Sequence, residues 1–106
     1  MSSKVILAYC TFPSENVARE ICRQLVIEGT IACANLLPAM QSVYQWQGRL
    51  IEETECAAVL KLAVLKQGRL RERIRDMHPY SVPALVFLPV DGGNAEFLNW
   101  IYAQTL

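Results

Sequence analysis

Apolar and polar positions alternate along this chain in two different periods, and each change of period marks a boundary between elements. "KVILAYCTF" (4–12) is continuously apolar and β-rich until Pro13 ends it, the pattern of a strand covered on both faces. It reads as the first and central strand. Ser14 then caps a helix whose stripe is Val17, Ile21 and Leu25 beside Ala18, Cys22 and Val26, with Gly29 as its stop. From Thr30 to Leu37 the pattern is strand-like and is broken by Pro38. Met40 to Trp46 alternates, with Ser42, Tyr44 and Trp46 on one face and Val43 and Gln45 on the other. Gln47-Gly48 provides a tight turn, and Arg49 to Leu62 returns as a long strand. Its alternation sets Leu50, Glu52, Thr54, Cys56, Ala58, Leu60 and Leu62 opposite Ile51, Glu53, Glu55, Ala57, Val59 and Lys61.

Strands average roughly 5–6 residues and an isolated two-stranded ribbon is marginal in water, so the outer half of this hairpin predicts a partner. A second copy adding strand to strand at the open edge is the expected one. Further on, residues 64–77 carry a thin stripe of Leu70, Ile74 and Met77 among alternating arginines and acids, which predicts a surface helix. Residues 84–90, "ALVFLPV", predict a last buried strand. Asp91-Gly92-Gly93 makes a turn, and Asn94 caps a short helix bearing Phe97, Leu98, Trp100 and Ile101. The order β-α-β-β-α-β plus a terminal helix predicts an α+β, ferredoxin-like domain spanning 1–106.

Composition narrows the function. Ten Lys plus Arg balance ten Asp plus Glu, which gives no one-signed field for nucleic acid or a membrane surface. The start, Met1 to Lys4 and then "VILAY", lacks a leader pattern, and no apolar run reaches the roughly 18 residues of a membrane span. Cys10, Cys22, Cys33 and Cys56 are widely spaced without a C-x-x-C pair, as buried free thiols are, and this favours a cytoplasmic setting. With 53% hydrophobic residues in 106, the chain carries apolar surface enough for self-association.

Four stretches taken together, "IACANLLPAMQSVYQWQG" (31–48), "EETECAAVLK" (52–61), "HPYSVPALVFLPV" (78–90) and "GNAEFLNWI" (93–101), resemble the CutA family of divalent-cation tolerance proteins. The resemblance implies a ferredoxin-like fold in a tight homotrimer akin to P-II signalling proteins, a cytoplasmic location, and a link to tolerance of copper and other divalent cations. The sequence departs from the family pattern where Ala84 stands in place of the Glu that usually follows H-P-Y-x-x-P. Leu62 likewise replaces the usual Thr after Lys61.

The candidate residues follow. His78, the single histidine, and Cys10, in the first strand, are the best available ligands for Cu²⁺ or another divalent cation, which favours imidazole and thiolate. Against a metal centre, a closed zinc site takes about four ligands and an open one about three, and no second His is present. His78 between Met77 and Pro79 is read first as part of a turn. Tyr44, Trp46, Tyr80 and Trp100 are expected at the subunit interface or a cleft, with Cys33, Glu55 and Lys61 beside them. No P-loop, G-x-S-x-G, G-x-G-x-x-G or H-E-x-x-H is present, and the chain reads as no enzyme and as requiring no cofactor. A second reading is a P-II-like trimer that senses a small anionic ligand or scaffolds an assembly, with no direct role for metal.

Overall fold

The computed structural model describes residues 3–106; Met1 and Ser2, the start of the segment read for a leader, lie outside it. Along the chain come β1 (Val5–Phe12), α1 (Glu15–Ile27), β2 (Cys33–Trp46), β3 (Arg49–Ala63), a 3₁₀ turn (Val64–Lys66), α2 (Gln67–Met77), β4 (Leu85–Pro89) and α3 (Ala95–Gln104). The strands form one antiparallel sheet in the order β2-β3-β1-β4. No helix among the described residues is long and apolar enough to cross a membrane.

Capping residues act as the pattern requires. The Ser14 hydroxyl accepts the Val17 N–H at 3.2 Å, and the Asn94 side-chain Oδ1 accepts the Glu96 N–H at 3.0 Å. Gly29, with φ at 76°, takes the left-handed conformation just beyond the end of α1.

Alternation on the central strands divides the structure into layers. Ala8, Cys10 and Phe12 of β1 and Cys56, Ala58, Leu60 and Leu62 of β3 point to one side, where Ala18, Ile21, Cys22 and Leu25 of α1 and Leu70 and Ile74 of α2 cover them. The other side is covered at one end only, where Ile101 of α3 packs on Val5 and Ala32. There the Thr105 hydroxyl accepts the Ala63 N–H at 2.9 Å and donates to the Ile101 carbonyl at 2.8 Å, so it closes the inner end of β3. The rest of that side is open, and Leu37, Val86 and Leu88 stand exposed on it.

Four expectations change. Pro38 does not break the strand: β2 continues through it, with a register irregularity between Leu37 and Met40 and Ala39 at φ 59° absorbing the extra length. Its beginning is Cys33 rather than Thr30. The helix expected over 64–77 opens with three residues of 3₁₀ turn before α2. Finally, β4 is not a buried strand, because it lies at the sheet edge with Val86 54% exposed.

The hairpin is as long as its pattern suggested. β3 meets β1 only from Cys56 to Ala63, so from Arg49 to Glu55 it pairs with β2 alone. This two-stranded arm carries exposed Val43, Trp46 and Leu50 and stretches the molecule to 44 Å in its longest dimension.

Candidate functional site

α2 stops at His78, whose backbone turns extended (φ −75°, ψ 136°) ahead of Pro79 while its N–H still caps the Ile74 carbonyl at 2.8 Å. That turn drops the imidazole into the fold. The Tyr80 N–H donates to Nδ1 at 3.1 Å, which leaves the proton on Nε2, and Nε2 donates to the Thr11 carbonyl at 2.7 Å. The ring stacks on Phe12 (centroids 4.9 Å apart, planes at 24°) and meets Tyr80 at 4.8 Å. With the residue only 7% exposed and both nitrogens engaged, His78 offers no free lone pair to a metal as it stands.

What His78 does hold is Tyr80. The phenol donates to Glu55 Oε2 at 2.7 Å, and burial together with that bond raises its pKa well above the ordinary tyrosine value. One step further along the arm, Tyr44 donates to Glu53 Oε1 at 2.7 Å, and this bond raises the Tyr44 pKa too. Tyr9, reaching across β3 from β1, donates to the Met40 thioether at 3.3 Å. These side chains line a cleft of about 790 Å³ between the hairpin arm and the segment Ser81 to Ala84. No lysine, arginine or histidine is among the lining residues, and neither Glu53 nor Glu55 forms an ion pair among the described residues. The cleft is therefore negative, the wrong sign for the small anion of the second sequence reading.

Cys10 lies elsewhere. It is fully buried on the helix-facing side of β1, where desolvation, with the Cys22 thiol adding to it, pushes its pKa up to about 12. Such a group stays a thiol at neutral pH, while the metal-binding form is the thiolate. All four cysteines are free. No group of three His, Cys, Asp or Glu side chains among the described residues is placed to hold a metal ion.

Of the expected cleft residues, the structure gathers Tyr44, Trp46, Glu55 and Tyr80 and leaves the others apart. Cys33 and Lys61 are register partners near the opposite end of the sheet, where the Lys61 ammonium donates to Asn35 and lies 6.0 Å from the Phe97 ring. Trp100 stacks on Phe97 in α3. Sequence reasoning missed Tyr9, Thr11, Met40 and Glu53. Glu53 was within reach of it, because it stands two residues from Glu55 on the same face of one strand.

The description "CutA1 divalent ion tolerance protein" matches residues 6–104. The chain belongs to the CutA1 family. The CutA of Thermus thermophilus is 42% identical over 95 residues, covering 90% of this chain and 92% of that one. A solved CutA1 from the same organism superposes with a TM-score of 0.92 at 40% identity, covering 95% and 98% of the two chains. A CutA from Archaeoglobus fulgidus, described as periplasmic, gives 0.92 at 30% identity over 96% and 99%. CutA relatives are named for tolerance of divalent cations rather than for a reaction.

Proposed function

We propose that this CutA-family protein serves tolerance of divalent cations, copper among them, as a cytoplasmic homotrimer of ferredoxin-like subunits that holds metal weakly where the subunits meet. The observation that carries this reading is the hairpin arm. Two strands without a third, bearing exposed Val43, Trp46 and Leu50 beside an open sheet face, make a surface that a further copy of the chain would cover.

The donors of one chain do not amount to a closed metal centre. His78 and Cys10 would each have to give up bonds or burial to become ligands, whereas Glu53 and Glu55 line the cleft and form no ion pair among the described residues. Carboxylate, phenol and one thioether would hold a divalent cation weakly. The test has two parts. Sedimentation equilibrium should return three times the chain mass, and a monomer at micromolar concentration would reject the assembly. Equilibrium dialysis of Cu²⁺ into the reduced, metal-free protein should show uptake that falls in Glu53→Gln. Uptake lost in His78→Ala or Cys10→Ser, in variants that remain folded, would return those residues to the site.

The alternative, a small-ligand sensor with no direct metal role, is favoured by one feature. Aromatic walls with a few polar tips are characteristic of organic-ligand pockets, and the cleft is built in that way.

A further inference from the structure

We propose that Glu53 and Glu55 of one copy are met by Lys61 of a second copy, so that the acid end of the open sheet face on one chain docks on the basic end of the same face on its neighbour. This rests on the homotrimer reading and names the contact that builds it.

Desolvation is the first ground. The even-numbered residues of β3 face the helices, and Glu53 and Glu55 stand on the other side, where the hairpin arm leaves the sheet. Within one chain each has a phenol and no base. Tyr44 donates to Glu53, Tyr80 donates to Glu55, and neither carboxylate forms an ion pair among the described residues. Glu55 is already only 6% exposed. A further copy laid over the arm takes the remaining water from both carboxylates, and burying charge without an opposite charge is costly. The surface that covers them therefore has to bring a cation.

The supply of cations is the second ground. The arginines of α1 and α2 belong to the helices that cover the opposite side of the sheet. Lys66 lies in the 3₁₀ turn, and the Lys4 ammonium sits 5.1 Å from the Tyr102 ring. β1, β2 and β4 carry no base, and β3 carries two: Arg49 beside the hairpin turn and Lys61 in the body of the sheet. The Lys61 ammonium donates to Asn35, lies 6.0 Å from the Phe97 ring and forms no ion pair among the described residues. An ammonium has three donors, so two remain for a carboxylate.

Geometry is the third. Glu55 and Lys61 are six residues apart on one strand, about 20 Å, and cannot pair within a chain. One face thus ends in acid at the arm and in base near α3. The surroundings of the two ends also match, because Tyr44 and Trp46 stand with the acids while exposed Phe97 and Trp100 stand with the base. Aromatic surface from both ends would be buried together with the ion pair. Acid end on basic end is a head-to-tail contact, which closes into a ring when the rotation between copies divides a full turn. Two carboxylates against one ammonium leave the contact net negative, in keeping with a site that holds a divalent cation weakly.

Charge reversal tests the pairing. Sedimentation velocity on the full chain across a dilution series reads assembly, with far-UV circular dichroism recording the fold of each variant. Glu53→Lys and Lys61→Glu should each raise the dissociation constant of the assembly about tenfold or more, and the chain carrying both should return to within about threefold of wild type. Glu53→Lys combined with Arg49→Glu should show no such recovery. If a reversed variant does not fold, Glu53→Gln, Lys61→Met and their combination form a milder cycle, in which the combined effect should be smaller than the product of the single ones. Single effects that simply multiply, or recovery by Arg49→Glu in place of Lys61→Glu, overturn the proposal, and an assembled wild type then leaves the trimer reading standing. A wild-type chain that is monomeric at micromolar concentration removes both.

Discussion

Replacing His78 by alanine separates architecture from metal ligation. The substitution deletes a ring that is 7% exposed and stacked 4.9 Å from Phe12, and it removes partners from the Thr11 carbonyl and the Tyr80 N–H. Loss of a buried ring of this size costs about 2 kcal/mol, near the low end for large-to-alanine changes. Each hydrogen bond adds about 1 kcal/mol, moderated where water enters the space. The expected loss is about 3–4 kcal/mol, a large share of the 5–15 kcal/mol or so that holds a domain together. Urea unfolding followed by far-UV circular dichroism measures it, at one fixed protein concentration because assembly makes the midpoint concentration-dependent. His78→Phe, which keeps a ring against Phe12 and loses both bonds, should fall between wild type and alanine. A His78→Ala midpoint within about 1 kcal/mol of wild type would refute the reasoning.

Three further outcomes follow from the same geometry. Glu28 accepts from the Arg73 Nε at 2.8 Å, and that bond holds its carboxyl below the usual glutamate pKa. The stability it contributes is present above the unfolded value of about 4.3 and is lost as pH falls through the lower folded value, so Arg73→Met should flatten acid unfolding in that window. Trp46→Ala should weaken assembly by about 2 kcal/mol, seen as dissociation on dilution in sedimentation velocity, and unchanged assembly at nanomolar concentration would reject its role. Iodoacetamide at pH 8 should leave Cys10 and Cys22 unmodified in the native protein, since burial lifts both thiols to about 12; mass-spectrometric detection of Cys10 adducts without unfolding would contradict that burial.

How far the sequence could be read depended on the distance over which each feature is determined. The caps at Ser14 and Asn94 and the alternation of β3 are local, and they stand where the pattern put them. The passage through Pro38 was not legible, because proline marks strand ends as readily as bulges and only pairing with β3 decides between the two. β4 was misread for a similar reason: an apolar run looks buried until the sheet order places it at an edge. The environment of His78 depends on Thr11, 67 positions away, and a turn motif cannot state that both ring nitrogens are used. Tyr9 entered the cleft through its cross-strand neighbours, which alternation alone does not name.

The clasp at Thr105 has a consequence for the order in which a growing chain can mature. Ala63 has its amide partner only once a residue 42 positions later has left the ribosome. Until then β1, α1, β2 and β3 can already pack their helix-facing layer, while Val5 and Ala32 wait for Ile101. Closure of the sheet's second side is thereby a late event in synthesis, and a translational pause before residue 105 should leave a nascent chain whose β3 amides exchange fast at Ala63 and slowly at Ala58.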